Sequence, residues 1–149
     1  MAGNKNKKVP SLGSNETKKE VRYENNMPES YDRCFPSWKF HLIDKEGKWG
    51  WNKLSPEEIW DILSNKIKDK EHINWATLKQ SGSHNVAVND FIKEARERLQ
   101  TIGQADIDEL FSLRISGKQR IWGIRDRYAL KILWWDPDHE VCPSPKKHT

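Results

Sequence analysis

The stretch Leu110–Val141, LFSLRISGKQRIWGIRDRYALKILWWDPDHEV, constrains the fold of this chain more than any other segment. In Leu110–Ile115, Phe111, Leu113 and Ile115 alternate with Ser112 and Arg114, the period of two that puts one side of a strand against a core. Ser116-Gly117-Lys118 breaks that strand, Arg120–Ile124 reads as the next, and Asp126-Arg127 is a short polar turn. Tyr128–Trp135 is apolar almost throughout, which predicts a strand central in its sheet and covered on both faces. Trp134 and Trp135 must then face opposite sides. Three strands in close succession leave little choice but a compact antiparallel sheet. Arg114, Lys118, Arg120, Arg125, Arg127 and Lys131 are set into it against only Asp126, and it leaves through the polar corner Asp136-Pro137-Asp138-His139-Glu140.

The chain before this stretch supplies the layers to pack on it. Ser37–Trp51 reads as a β-hairpin, with Trp38, Phe40 and Leu42 alternating with polar neighbours and Asp44-Lys45-Glu46-Gly47 as its turn. Trp49 and Trp51, two apart, are expected on one face. Ser55-Pro56-Glu57-Glu58 opens a helix: Ser55 caps, Pro56 suits the first position and Glu58 completes a capping box. Ile59, Ile62, Leu63 and Ile67 follow at helical spacing. Asn74 caps a second short helix through Gln80, closed by Ser81-Gly82. Asn89 or Asp90 starts a third, with Phe91, Ile92, Ala95, Leu99 and Ile102 buried, a Glu94–Arg98 pair outside, and Gly103 as its stop. Ala105–Glu109 adds one helical turn.

Helices followed by an antiparallel sheet define an α+β domain with two or three helices and an N-terminal β-hairpin. Residues 1–32 are rich in Lys, Asn, Ser and Glu with almost nothing apolar to bury, so they are expected as a disordered tail ahead of a single domain over 33–149. A chain of 149 residues has room for one core, and its eight tryptophans supply the bulk for it. No apolar run approaches the ~20 residues of a membrane helix, and no signal peptide is expected. The two cysteines, Cys34 and Cys142, are expected as free thiols in a reducing cytoplasm. The formal charge of +4 is compatible with a nucleic-acid partner.

The order helix, helix, then LRI-x-G-x-x-RI, an apolar strand and a histidine resembles the RelE/ParE-type toxins of bacterial toxin–antitoxin pairs, small α+β proteins whose nuclease branch cuts mRNA. The similarity covers Leu110 to Val141. It implies an endoribonuclease acting on RNA, in the form of mRNA on the ribosome, and held by an antitoxin protein. Arg120 matches an arginine that contacts the scissile phosphate, Arg114 the arginine opening the RI segment, and His139 lies near a terminal histidine; the resemblance does not place the family's catalytic glutamate or paired lysines. From Trp38 onward the chain also resembles a set of small bacterial proteins of unassigned function that share the LWWDP-x-HEV ending.

The residues themselves allow that chemistry. Cutting RNA without a metal or other cofactor needs a base for the 2′-hydroxyl, cations for the phosphorane and an acid for the leaving oxygen. Arg114 and Arg120 suit the charge, His139 the proton transfer, and Glu140 is a possible partner. Lys118, Arg125, Arg127 and Lys131 would hold the nucleic-acid backbone. Two other readings stay open: a divalent cation at Asp136, Asp138, His139 and Glu140, and a non-catalytic module that binds nucleic acid or protein through the same basic sheet. Asp-Pro-Asp is also ordinary turn chemistry, and His84 is expected as polar filler in a loop.

Overall fold

The computed structural model describes residues 28–143. Its centre is a five-stranded mixed sheet: β1 (Ser37–Lys39), β2 (His84–Ala87), β3 (Glu109–Ser116), β4 (Gln119–Asp126) and β5 (Ala129–Asp136), in the spatial order β1-β5-β4-β3-β2. The β2-β3-β4-β5 meander is antiparallel and β1 pairs in parallel with the start of β5. Three helices accompany it: α1 (Pro56–Asp61), α2 (Trp75–Gln80) and α3 (Lys93–Thr101). The α+β class and the three predicted C-terminal strands are therefore present, with β5 inside the sheet as its apolar composition requires.

Both faces of the sheet are buried, which explains the run of large apolar residues. One face sets Phe111, Leu113, Ile121, Leu130, Ile132 and Trp135 against Trp51, Ile62, Ile67, Trp75 and Leu78. The other sets Leu110, Trp122, Leu133 and Trp134 against Phe91, Ala95 and Leu99 at α3, with Trp49 and Val141. A bulge at Trp122/Gly123 leaves Leu133 without a partner in β4 and places it on the same side as Trp134. Trp135 returns to the first face, so the two adjacent tryptophans do point apart.

The capping box at Ser55 and Glu58 forms as the sequence dictates, and Asn74 caps α2 through the Thr77 amide. Beyond Asp61 the first helix widens into a π-helical segment, Ile62–Ile67, and then a 3₁₀ stretch, Lys68–His72. Those segments turn Ile62 and Ile67 inward while Trp60 stays exposed.

Several expectations need correction. There is no N-terminal hairpin: only Ser37–Lys39 is a strand, and residues 40–50 wrap the edge of β5. Asp44 N–H donates to the Leu133 carbonyl and Trp135 N–H to the Trp49 carbonyl. A Cβ at Gly50 would collide with the Glu46 and Lys45 carbonyls, so the chain folds tightly on itself there. Trp49 and Trp51 consequently enter opposite faces. His84 lies in β2 rather than a loop. The third helix begins at Lys93, after a 3₁₀ turn at Val88–Asp90. Ala105–Glu109 is not helical: Glu109 already belongs to β3 and pairs with Ala87 of β2. Arg98 does not pair with Glu94 but makes a two-pronged contact with buried Asp44, at 2.7 and 2.8 Å, while Glu94 lies 3.7 Å from Lys48.

Pro28–Arg33 is a 3₁₀ turn, and Asp32 pairs with Lys79 and Arg125, so the ordered fold begins ahead of residue 33. The tail expected over residues 1–27 lies outside the described residues, as does 144–149. Cys34 and Cys142 are free thiols. Among the described residues no helix is long and apolar enough to cross a membrane.

Candidate cleavage site and nucleic-acid interface

Register brings the chemistry-bearing residues together. Arg114 pairs with Arg120 across β3–β4, and Arg120 with Asp136 across β4–β5. Residues directly opposite each other share a face, so these three form one row. In the adjoining row His84 faces Ser112, Ser112 faces Trp122 and Trp122 faces Trp134. Successive rows on one face are two residues apart along each strand. His84 therefore adjoins the arginine row at the edge strand.

Gly82, two residues before His84, opens space for this arrangement. Its φ of +108° suits glycine alone, and a Cβ there would meet the Arg114 side chain at 3.0 Å. Arg114 is tied at its backbone, where its N–H donates to Ser83 Oγ at 2.9 Å, and its guanidinium reaches the Ser81 carbonyl at 3.4 Å. Arg120 Nη1 donates to the Gly117 and Gln119 carbonyls at 2.6 and 3.0 Å. Both bonds use the same nitrogen, so the rest of the fork has no acceptor among the described residues. Burial lowers the Arg120 pKa and the Arg114 charge lowers it further, opposed by Asp136; a guanidinium nonetheless stays charged. Two neighbouring like charges are costly, and an anion placed between them relieves that cost.

The corner after β5 is folded back by a buried carboxylate. Asp136 Oδ2 accepts from Trp122 Nε1 and Val141 N–H, both at 3.0 Å, and Oδ1 from Glu140 N–H at 2.9 Å. Val141 in turn accepts from the Ile92 amide at 3.0 Å, beside the start of α3. This clamp carries His139 back toward the arginines with φ at +59°. Left-handed backbone is tolerated by histidine better than by most side chains. Burial depresses the His139 pKa, Arg120 depresses it further, Asp136 opposes, and His84 adds a smaller push downward. His139 thus holds its neutral, proton-accepting form more readily than a free imidazole. His84 Nδ1 lies 3.2 Å from the Gly82 carbonyl; a carbonyl only accepts, so Nδ1 carries the proton and Nε2 is left to act.

Of the residues expected at a site, the structure brings together Arg114, Arg120 and His139, and adds His84. That histidine had no signal in the sequence, since only the β2–β3 register reveals its neighbours. Lys118 is exposed at the β3–β4 turn beside Arg120. Glu140 contributes its backbone to the clamp, while its carboxylate lies 3.7 Å from Lys48. Arg125 is on the opposite face near the other end of β4. Its guanidinium pairs with Asp32 at 2.7 Å and stacks over Trp75, 4.4 Å from the ring centre. Arg127 and Lys131 flank Asp126 at that same end, at 3.3 and 3.5 Å. The Asp136, Asp138, His139 and Glu140 corner does not form a ligand set, because the Asp136 oxygens are occupied by N–H donors; among the described residues no three such side chains are grouped for a metal. A groove of about 420 Å³ on the other face is lined by Glu57, Glu58 and Asp61 against the single cation Lys66, a net charge that repels a phosphate.

No family model, curated protein or solved structure matches this chain. What fold and site define is an α+β protein with a cationic, two-histidine shelf at one end of its sheet.

Proposed function

We propose that the chain is a metal-independent endoribonuclease of the RelE kind, the toxin of a toxin–antitoxin pair, which acts on mRNA in the cytoplasm. The observation that carries this reading is the convergence of Arg114, Arg120, His139 and His84 on one shelf. His139, held neutral, takes the proton from the 2′-hydroxyl, and the 2′-oxygen attacks phosphorus. The arginines balance the charge that develops on the phosphorane. The bond from phosphorus to the 5′-oxygen breaks, and His84 in its protonated form supplies the proton to that oxygen. The products carry 2′,3′-cyclic phosphate and 5′-hydroxyl ends, and the step needs no oxidant, reductant or metal.

Incubation with a defined RNA tests this. Chelator-insensitive cleavage with those end groups is expected, as is growth arrest on induced expression. Intact RNA at high enzyme concentration would contradict it. One observation favours a second reading, a binding module without catalysis: the bonds from Arg120 to the Gly117 and Gln119 carbonyls hold the guanidinium in place as a fixed anion receptor. Salt-dependent RNA binding without cleavage would select it.

A further inference from the structure

Among the described residues the buried polar side chains are Asp44, Ser83, Ser112 and Asp136. Asp44 and Asp136 accept from N–H donors on both carboxylate oxygens, and Ser83 Oγ accepts from the Arg114 amide. Ser112, 1% exposed, is the exception: its hydroxyl has no hydrogen bond among the described residues. It is not sealed off, since the fully enclosed polar atoms without a partner are Trp38 Nε1 and Trp49 Nε1. What little of Ser112 meets solvent is therefore its Oγ. A nearly buried hydroxyl left unpaired costs stability. If small size were all the position needed, alanine would supply it without that cost.

Ser112 lies where the groups of the shelf meet. It is the register partner of His84, and it precedes Arg114 by two residues on β3, hence on the same face. His84 and Arg114 both lie against Gly82: the His84 Nδ1 is 3.2 Å from the Gly82 carbonyl, and a Cβ on Gly82 would meet the Arg114 side chain at 3.0 Å. Direct register partners have Cβ atoms about 5 Å apart, and residues two apart on a strand about 7 Å. Spacings of that size admit one phosphate group between hydroxyl, imidazole and guanidinium. On the other side Ser112 faces Trp122, whose N–H is turned to Asp136 and does not claim the hydroxyl. We infer that Ser112 Oγ is a further donor of the shelf, bonding a non-bridging oxygen of the phosphate held by Arg114 and Arg120. A serine hydroxyl supplies one O–H donor, and a donor already in place needs no reorganisation as charge builds on that oxygen. This role rests on phosphate being the shelf's ligand, as the proposed cleavage requires, and holds whether or not a bond is then cut.

The test titrates inorganic phosphate into the full chain and follows the His84 and His139 ring signals by NMR. Ser112→Ala should weaken phosphate binding about tenfold, the size of one lost hydrogen bond to a charged group. Its urea midpoint should stay level or rise, because the unpaired hydroxyl is gone. Ser112→Cys, close in size but a weak donor, should lose phosphate affinity in the same way. Both variants should also cut RNA roughly 10²-fold more slowly, with the loss in kcat rather than KM. Unchanged phosphate affinity in both variants, or wild-type histidine signals that ignore phosphate, would overturn the contact. So would a fall in the urea midpoint that accounts for the lost affinity, since the hydroxyl would then serve the fold. Ser112-dependent phosphate binding by a wild type that leaves every RNA intact would retain the contact and reject the nuclease. Cleavage at the wild-type rate in both variants would do the reverse.

Discussion

Arg120 and Arg125 lie on the same strand, five positions apart, and do opposite things. Arg125 is enclosed: Asp32 neutralises it, Trp75 and Phe111 cover its plane, and its Nε bonds the Arg127 carbonyl at 2.9 Å. Arg120 has a like charge beside it, and the carboxylate in its row, Asp136, is saturated by three N–H donors. Strand parity separates them, since an odd spacing sends the two side chains to opposite faces. An arginine bonded to its own carboxylate is structure; one that has a second arginine beside it and bonds only backbone carbonyls is left to meet an anion from outside.

The largest test of this contrast is Arg120→Ala. Cleavage should fall by roughly 10²–10³, as when a preorganised charge contact is lost, while the urea midpoint moves by less than about 0.5 kcal/mol of stability. A matching fall in stability would make Arg120 a second Arg125. Arg125→Ala should behave in reverse. It leaves Asp32 with Lys79 as its one cation among the described residues and uncovers Trp75, costing about 2–3 kcal/mol in urea unfolding, with the activity of the folded fraction intact.

Asp136→Asn probes what lies beneath Arg120. An amide presents only one acceptor atom to the three N–H groups, so at least one is left unpaired, at about 1–2 kcal/mol. The charge opposing the depression of His139 is also lost, and its pKa should drop further, shifting the acid limb of the pH–rate profile downward. An unmoved limb would place His139 away from that carboxylate.

Acid stability should divide the two ends by a smaller margin. Burial pushes the Asp32 carboxyl up, but hydrogen bonds and charge from Lys79 and Arg125 outweigh it and hold it below its ordinary value. Its stabilisation is present above the unfolded carboxyl pKa of about 3.9 and is lost as pH falls through the folded value. His139 is also depressed in the fold, so the unfolded chain binds its proton first. Its stabilisation is full above about pH 6.5 and is lost as pH falls through the window below. Urea midpoints should therefore decline in two steps, with His139→Gln removing the first and Asp32→Asn reducing the second, to which the lowered Asp44 carboxyl also contributes.

The strands of the meander were legible because alternation and turn chemistry are local: Phe111, Leu113 and Ile115 declare one face, and Gly117 and Arg127 supply the left-handed turn residues. The caps at Ser55 and Asn74 were legible for the same reason. The region around Trp49 and Trp51 misled, since a spacing of two suggests a strand, whereas the tight fold at Gly50 turns the rings to opposite faces. Parallel pairing of Ser37–Lys39 with Ala129–Lys131 joins residues about ninety positions apart and leaves no local trace. Arg120 and His139 stood out by residue type, but their meeting depends on the Asp136 clamp, and His84 joins them only through the β2–β3 register.

The shelf itself is tested most directly by NMR titration of the His139 ring in the wild type and in Arg120→Ala. The wild-type pKa should lie below the free imidazole value of about 6.5, because the ring is partly buried beside a guanidinium, and it should rise when Arg120 is removed. A His139 pKa at or above 6.5 that ignores Arg120→Ala would mean that the two residues do not share a site.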